Sequence, residues 1–268
     1  MISFNQLGNL GRLGNQMFQY AALKGIASNR GFEYCIPQSR YFGKRDPKVR
    51  NTTDNLYSTF ELKYVKQGIQ SVSTVEESGF AFDKNLFDSC DDNIDLYGYF
   101  QSEKYFKHIK DEVKKDFTFK DYIKVPTKKQ FDEVFGDEDV ISLHVRRGDY
   151  VNSKEHPTPS LKYYFKALEQ LDSELSVMVF SDDIEWCKEQ TIFSDERFIF
   201  SEDNIAGVDL YLQSLCKYHI IANSSFSWWG AWLADSKKTI APQKWFGGNC
   251  SNNETKDLYL KKWYIINE

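Results

Sequence analysis

The chain has 268 residues, of which 41% are hydrophobic and 27% are charged. This composition can bury one large core or two modest ones, as a globular protein requires. The net charge of −5 argues against a dedicated nucleic-acid-binding protein, so an anionic ligand would have to be bound by a local cluster of basic residues.

The cysteines and the N-terminal residues bear on the cellular compartment. The five cysteines are odd in number, scattered, and without C-x-x-C spacing, which predicts a reducing compartment and no structural zinc. The first residues lack the basic and apolar regions of a signal peptide, and no apolar run is long enough to span a membrane. We therefore expect a soluble cytoplasmic protein.

In the first half of the chain, predicted helices and strands lie on both sides of a long polar stretch. Apolar periodicity and turn residues predict a strand at 2–4, a glycine-rich turn, a helix at 13–29 and a strand at 32–37. Residues 40–95 are polar and show no clear pattern. A strand at 94–100 and an amphipathic helix at 102–117, capped by Ser102, follow. The charged segment 124–140 is interpreted as a crossing between two lobes.

From Val140 onward, predicted strands alternate regularly with predicted helices. The strands fall at 140–145, 175–180, 197–200, 219–222 and 239–242, with helices in each of the intervals between them. One of these helices is capped by Ser160 and is predicted to bury Leu161, Tyr164, Phe165, Leu168 and Leu171. The alternation predicts βαβ units and a parallel sheet, whose ligands bind at the carboxyl ends of the strands.

Two adjacent arginines end the strand "VISLHV". Arg146 and Arg147 are followed by Gly148, which permits a sharp turn, and by Asp149, which could hold one arginine in place. Guanidinium groups bind phosphate oxygens bidentately and stay charged, so the pair predicts a site for a pyrophosphate leaving group. The alternative is an exposed arginine–aspartate ion pair of little energetic value.

A polar cluster follows the strand at 219–222. Asn223, Ser224, Ser225 and Ser227 precede or begin an aromatic helix, whose free N–H groups could bind an anion together with these side chains. Ordinary N-capping is the alternative for any single one of them.

Asp209 is a further candidate, since a carboxylate near an apolar helix face could accept the paired N–H donors of guanine. The alternative is an exposed aspartate in the first turn of its helix.

The segment "GNLGRLGNQMFQYA" resembles a dinucleotide-binding loop only weakly, because it lacks both G-x-G-x-x-G spacing and a P-loop lysine. Arg12, Asn15 and Gln16 nevertheless cluster at the helix start, where they could hydrogen-bond a sugar or phosphate.

The sequence shows no pattern typical of a metal site. No D-x-D motif follows a strand, and histidines are few. Asp182 and Asp183 are interpreted as a strand end and a helix cap. We predict no required metal.

Three segments, "GRLGNQMFQYA", "HVRRGDY" and "ANSSFSWWGAWL", resemble the α-1,2-fucosyltransferases of glycosyltransferase family 11 over roughly residues 8–245. The resemblance implies a GT-B-like α/β fold, in which two Rossmann-like lobes with parallel sheets face each other across a cleft. We expect an acceptor-side lobe at 1–135 and a GDP-sugar-binding lobe at 136–268. The implied reaction is inverting, metal-independent transfer of fucose from GDP-β-L-fucose to a galactose 2-hydroxyl.

The resemblance also implies roles for individual residues. Arg146 and Arg147 would hold the GDP pyrophosphate, while His144, Asp209 and the serines after Ala222 would contact guanine or phosphate. The general base is left open among three residues, Asp149, Glu155 and His156. No cofactor is expected beyond the donor substrate GDP-fucose, and the partner is a galactose-containing oligosaccharide acceptor.

The family's eukaryotic members carry a membrane anchor, which this sequence lacks, so a bacterial cytoplasmic enzyme is expected; peripheral association with the inner membrane is left open. The alternatives are transfer of another GDP-linked sugar, transfer to another hydroxyl, or a non-catalytic sugar-binding module. The polar residues 40–95, which match nothing in the family, are expected to choose the acceptor.

Overall fold

A computed structural model describes residues 1–38, 56–62, 65–250 and 254–267. Part of the polar region at 40–95, where we expected acceptor choice to be made, lies outside the described residues. The chain divides into two compact units, unit 1 (Met1–Lys120 with Asn253–Leu260) and unit 2 (Asp121–Asn252 with Lys261–Glu268). The division falls between Lys120 and Asp121, whereas the sequence predicted a boundary between residues 135 and 136.

Unit 1 contains a four-stranded parallel sheet in the order β2-β1-β4-β3. Its strands are β1 (Ile2–Ser3), β2 (Tyr34–Cys35), β3 (Ser73–Glu76) and β4 (Ile94–Tyr97), and its helices are α1 (Leu13–Arg30), α2 (Leu56–Thr59), α3 (Lys84–Ser89) and α4 (Lys110–Asp116). The chain continues from β1 to β2 on one side and places β4 and β3 on the other. The strand order therefore reverses between β1 and β4.

Helix α1 forms the centre of unit 1. Its residues are buried along most of its length, and it ends at Gly31, whose φ of 69° lies in the left-handed region that glycine tolerates best. Gly25 allows a close approach to the chain at Tyr105, because a Cβ atom at this position would lie 1.9 Å from the Tyr105 carbonyl oxygen. A side chain at Gly25 would therefore push α1 away from the backbone at Tyr105 and Phe106.

The single helix predicted at 102–117 is wrong in its first half. Ser102 does cap the segment, accepting a hydrogen bond from the Lys104 amide at 3.3 Å. Two short 3-10 turns (Glu103–Tyr105 and Lys107–Ile109) then precede α4, with Phe106 outside helical geometry at φ −134°. Tyr105 and Phe106 are both fully buried, and the break between the turns lets two consecutive aromatic side chains pack inward.

Unit 2 contains a six-stranded parallel sheet in the order β10-β9-β8-β5-β6-β7. Its strands are β5 (Ile141–Val145), β6 (Val177–Ser181), β7 (Phe198–Phe200), β8 (Tyr218–Ile220), β9 (Lys238–Pro242) and β10 (Tyr264–Ile266), and its helices are α5 (Asp121–Phe135), α6 (Leu161–Leu168), α7 (Ile184–Lys188), α8 (Ala206–Leu215) and α9 (Ser225–Leu233). The predicted alternation of strands and helices from residue 140 is confirmed, and β5 is buried throughout.

Helix α5 replaces the crossing segment that the sequence suggested at 124–140. Ile123, Thr127, Phe131 and Phe135 recur every four residues and form its buried face. Phe131 and Phe135 pack in one cluster with residues of β6 and α8, which places the helix in unit 2. The high charge of the segment lies on the opposite, exposed face and obscured its helical period.

Helix α6 buries Tyr164 and Leu168 as predicted, whereas Leu161 and Phe165 are exposed. Ser160 caps it as expected, accepting a hydrogen bond from the Tyr163 amide at 3.3 Å. Tyr163 and Tyr164 are fully buried, whereas Phe165 is 54% exposed. The Tyr163 hydroxyl donates to the carbonyl oxygen of Ile221, the residue after β8, at 2.7 Å, so the polar end of this ring is satisfied inside the unit.

Candidate active site

Strand order in unit 2 reverses at β5. The chain leads from β5 to β6 and β7 on one side and returns to β8, β9 and β10 on the other. The carboxyl ends of β5 and β8 flank this reversal, which is where ligands of open parallel sheets bind. Arg146 and Arg147 follow β5, and the segment from Asn223 to Ser227 follows β8. The structure thus brings both predicted phosphate-binding segments to one crevice.

Arg147 is held in a single orientation. Its Nε donates to Asp183 Oδ2 at 2.9 Å, and its guanidinium lies 3.7 Å from the ring centroid of Trp186. Its backbone N–H donates to Asp182 Oδ1 at 2.8 Å. Within the described part of the chain, neither terminal nitrogen of Arg147 has a hydrogen-bond acceptor. The stacked and anchored guanidinium therefore keeps two terminal nitrogens with the geometry that could bind phosphate oxygens side by side, so the predicted phosphate contact stays a prediction.

Arg146 is paired at both ends of its guanidinium. Nη1 donates to Asp182 and Nη2 donates to Asp149, and the group lies 4.8 Å from the ring centroid of Tyr150. The Arg146 side chain is 12% exposed, whereas that of Asp149 is 58% exposed. An incoming phosphate would displace the exposed Asp149 more easily than Asp182, because exposed ion pairs are weak.

Gly148 allows the carboxylate of Asp182 to reach the arginines. Its φ is +23°, and a Cβ atom there would lie 2.3 Å from Asp182 Oδ2. The interpretation of Asp182 and Asp183 as a plain strand end and helix cap is incomplete. Asp183 occupies the N-cap position of α7 without making a side-chain cap hydrogen bond, and its carboxylate accepts from Arg147 instead.

The net charge of this arginine cluster does not favour the binding of an anion. Two guanidinium groups (Arg146 and Arg147) are paired with three carboxylates (Asp149, Asp182 and Asp183), which leaves a net charge of −1. An anion such as phosphate would therefore have to be bound by oriented N–H donors and by exchange with a carboxylate, rather than by excess positive charge.

The start of α9 supplies further donors. Ser224 is the N-cap, and its Oγ accepts from the Phe226 amide at 3.3 Å. The Ser225 side chain is partly exposed and makes no hydrogen bond to the described residues. Its hydroxyl and the free amides of the first turn can therefore bind an anion at the reversal point.

Asn223 has a structural task. Its Nδ2 donates to the carbonyl oxygen of Pro157 at 2.9 Å and to that of Trp245 at 3.0 Å. Both amide protons are thus used in joining two loops behind the crevice. A direct contact between Asn223 Nδ2 and phosphate would require breaking these bonds; the predicted substrate contact of Asn223 stays a prediction.

His144 connects β5 to α9. Its Nδ1 lies 2.9 Å from Ser227 Oγ, and both residues are buried. Burial, with a smaller contribution from the charge of Arg146, lowers the pKa of His144 to about 3. The imidazole is therefore neutral at physiological pH and can accept or donate one hydrogen bond at each nitrogen.

Asp209 lies in the first turn of α8, after the edge strand β7. Its Oδ1 accepts from Ser201 Oγ at 2.7 Å, and Ser201 in turn accepts from Asn204 at 2.9 Å. The carboxylate is partly buried and oriented by this contact. Its predicted recognition of guanine stays a prediction.

Among the candidates for the general base, His156 and Asp149 lie close to Arg146. The His156 ring stacks on Tyr150, with ring centroids 5.0 Å apart. Burial lowers the pKa of His156, although the nearby carboxylates of Asp149 and Glu155 oppose the shift. A neutral imidazole beside the arginine cluster is suited to accept a proton, whereas Asp149 is already paired.

The remaining predicted residues belong to unit 1. Arg12 is exposed at the start of α1. Asn15 Oδ1 accepts from Gln101 Nε2 at 2.8 Å, and Gln16 Nε2 donates to the Gly11 carbonyl oxygen at 3.4 Å. Asn15 and Gln16 are thus built into a polar network around the glycine-rich turn.

Asp182, Asp183, Trp186 and Tyr150 were not predicted as members of the site. The signal for the two aspartates was present in the parallel register, since Val145 of β5 pairs with Ser181 of β6. The residues that follow each strand, two arginines and two aspartates, must then lie next to each other. The aromatic partners could not be identified without the conformations of the segments that follow β5 and β6.

Two further features concern metal ions and membranes. No group of three or more histidine, cysteine, aspartate or glutamate side chains suited to a metal ion occurs within the described residues. Likewise, no helix in the described ranges combines the length and the apolar character required to cross a bilayer.

Comparison with known proteins identifies the family. The model of "Glycosyl transferase family 11" matches residues 2–267. The chain is 35% identical to an α-1,2-colitosyltransferase of Escherichia coli, covering 88% of this chain and 90% of that protein. It is 28% identical to galactoside α-(1,2)-fucosyltransferase 2 of Pongo pygmaeus, over 84% and 67% of the two chains.

Solved structures show the same fold. NodZ α-1,6-fucosyltransferase from Bradyrhizobium aligns with a TM-score of 0.58 at 13% identity, covering 90% of this chain and 94% of NodZ. With its two parallel sheets the chain has the GT-B-like α/β fold that the sequence resemblance implied, and the resemblance itself is confirmed. The chain belongs to glycosyltransferase family 11 and is a glycosyltransferase of that family.

Proposed function

We propose that the protein transfers L-fucose from GDP-β-L-fucose to the 2-hydroxyl of a galactose residue in an oligosaccharide, with inversion and without a required metal ion. The observation that carries the proposal is the pair of oriented arginines beside the start of α9, at the strand-order reversal of unit 2. Such a crevice suits a diphosphate, and two relatives are named for α-1,2 transfer.

The chemistry follows from where charge develops. Breaking the bond between fucose C1 and the phosphate oxygen leaves positive charge on the sugar and negative charge on the β-phosphate. Arg147 and the free amides at the start of α9 are oriented before the reaction, so they can stabilise this charge without reorganisation. Fixed guanidinium groups would thereby take the role that a divalent metal plays in other transferases.

The acceptor hydroxyl loses its proton as the new glycosidic bond forms. Asp149 and His156 both lie beside Arg146, and we propose that one of them accepts this proton. We propose that the enzyme acts in the bacterial cytoplasm, as expected from the sequence, on a galactose-containing acceptor.

A second donor is supported by the comparison with the colitosyltransferase. Colitose is fucose without its 3-hydroxyl, so both donors present the same GDP group to unit 2. The two functions differ only in whether the enzyme recognises the 3-hydroxyl. A site that hydrogen-bonds this hydroxyl would reject the deoxy sugar strongly, because its polar groups would be left unpaired.

The deciding experiment incubates the purified protein with lactose and either GDP-fucose or GDP-colitose, in the presence and absence of EDTA. The product is analysed by NMR for its linkage and anomeric configuration. We expect an α-1,2-linked fucosyl product whose rate is unaffected by EDTA, and a large loss of rate for Arg147→Ala. Faster transfer from GDP-colitose would replace fucose as the donor, and loss of activity with EDTA would refute metal independence.

A further inference from the structure

In unit 2, the loop after β9 (residues 243–250) is joined to the loop after β5 (residues 146–160). Asn223 Nδ2 donates to one carbonyl oxygen in each loop. The Gly247 amide also donates to the Glu155 carbonyl oxygen, at 2.8 Å. Glycine permits this approach, because a Cβ atom at Gly247 would lie 2.7 Å from a carbonyl oxygen of the other loop. The loop after β9 therefore has a fixed place beside the segment that begins with the two arginines.

A row of ring contacts leads from this loop to Arg146. The Phe246 and His156 rings have centroids 5.7 Å apart, and the His156 ring stacks on that of Tyr150 with centroids 5.0 Å apart. The Arg146 guanidinium carbon lies 4.8 Å from the centroid of the Tyr150 ring. Phe246 is only 7% exposed. The row is thus anchored at a buried ring and ends at a guanidinium of the candidate active site.

The row matters to Arg146 because one of the two carboxylates that pair with it is exposed. Nη2 pairs with the exposed Asp149, and Nη1 pairs with the less exposed Asp182. A phosphate that replaced Asp149 would leave the guanidinium with one carboxylate and with the Tyr150 ring. A cation is attracted to the face of an aromatic ring, so the ring can orient the cation only while it keeps its own position. Stacking on His156 holds Tyr150 in that position.

We propose that Phe246 is a positioning residue for Arg146 and acts through the rings of His156 and Tyr150. The inference rests on the proposed function for the ligand, a nucleoside diphosphate, and adds to it a residue distant in sequence from both arginines. It does not depend on which residue is the general base, since His156 contributes its ring face whether or not it accepts a proton. The alternative is that Phe246 only fills the space between the two loops.

The test removes the aromatic ring and then restores it. Phe246→Leu keeps an apolar side chain without the aromatic face, and Phe246→Tyr brings the face back. Phe131→Leu is the matched control, because Phe131 is also 7% exposed and also packs against a ring of unit 2, that of Phe135. GDP affinity is measured by calorimetry, and stability is measured by thermal unfolding.

We expect Phe246→Leu to weaken GDP binding about two- to fivefold, the effect of one lost cation–π contact. Phe246→Tyr and Phe131→Leu should bind GDP as the wild type does. A space-filling role would lower the Tm of Phe246→Leu, as Phe131→Leu lowers it, and would leave GDP affinity unchanged. That result would overturn the inference.

A double-mutant cycle shows whether the effect passes through Arg146. Phe246→Leu should cause no further loss of GDP affinity in the Arg146→Ala background, because the residue that it positions is absent. In the Arg147→Ala background the loss should persist, since Arg147 is outside the row. Equal losses in the two backgrounds would overturn the inference.

A second measurement needs no ligand. NMR relaxation of the guanidinium Nε–H groups reports the motion of each arginine separately. Phe246→Leu should increase the motion of Arg146 alone, because Arg147 is held by Asp183 and Trp186. If the wild type binds no GDP, the proposed function is refuted and the relaxation data decide the inference: increased motion of Arg146 would support it, and unchanged motion would overturn it.

Discussion

Substituting Asp149 by Asn separates two roles that the structure allows for this residue. Its carboxylate pairs with Nη2 of Arg146, where a phosphate would bind, and its side chain is 58% exposed. Asparagine has the same shape but no charge. Arg146 would keep its pair with the less exposed Asp182, so the guanidinium should stay in place.

The size of the effect follows from the exposure of the pair. An exposed ion pair contributes about 0.2–1 kcal/mol, so releasing Arg146 from Asp149 should tighten GDP binding by about 1.4- to 5-fold. Removing one negative charge from the cluster also reduces repulsion of the diphosphate. The gain should be larger at low salt, because salt screens exposed charges.

The measurement is calorimetric titration with GDP, in EDTA, at low and at high salt. Asp121→Asn is a matched control, since Asp121 forms an exposed ion pair with Lys124 at the same three-residue spacing. Weaker GDP binding by the Asp149 variant would refute this account and show that Asp149 supports Arg146 rather than competing with the phosphate. If Asp149 is also the general base, kcat should fall about 10²- to 10⁴-fold while GDP affinity improves.

Three other results are expected. Arg147→Ala should weaken GDP binding more than Arg146→Ala, because among the described residues the terminal nitrogens of Arg147 have no acceptor, whereas both of those of Arg146 are paired; calorimetry with both variants tests the order. Gly148→Ala should lower both the Tm and GDP affinity, as its Cβ would lie 2.3 Å from a carboxylate oxygen; normal values would contradict the packing described. Burial lowers the pKa of His144 to about 3 and that of His219 to about 4, so the folded state binds fewer protons than the unfolded state below about pH 6.5. The stability that these residues contribute should be present above that pH and should fall by about 2 kcal/mol for each residue at about pH 5, a loss that His144→Gln should reduce in urea unfolding.

The sequence predicts those parts of the site that lie on one strand and on the loop after it. The apolar run of β5 ends directly at Arg146, so burial of the strand and the position of the arginines at its carboxyl end follow from local pattern alone. Because the carboxyl ends of parallel strands lie on one edge, the segment from Asn223 to Ser227 could be assigned to the same crevice. Both expectations concern positions, and both agree with the geometry.

The partners of these residues could not be predicted in the same way. The sequence placed Asn223 in a polar cluster after β8, but it could not show that its Nδ2 donates to the carbonyl oxygens of Pro157 and Trp245, which are far away in sequence. Trp186 stacks on Arg147 because α7 follows β6 closely, a contact that no periodicity indicates. Hydrogen-bond competition between distant loops decides such contacts.

Elements that depend on long-range packing were also missed. Strand β10 pairs with β9 near the end of the chain, after residues 254–260 have packed in unit 1. Asp257 belongs to that returning segment and accepts from the Phe82 amide at 3.0 Å. The sequence of residues 254–260 does not indicate that they pack in unit 1. The groups that hold this segment in place, such as the Phe82 amide, belong to a distant part of the chain.

The carboxylates around the arginines also bear on release of the product. A diphosphate site built from unpaired arginines would bind GDP tightly, and slow product release would then limit turnover. If GDP is the product, as proposed, Asp149 can pair again with Nη2 of Arg146 as GDP leaves, while Asp182 stays paired with Nη1. This exchange would lower the affinity for GDP by the energy of one exposed ion pair, while Arg147 would keep its orientation through Asp183 and Trp186 in either state. Under the proposed function, Arg147 would therefore provide a fixed phosphate contact, and Arg146 would provide one that is made and broken in each catalytic cycle.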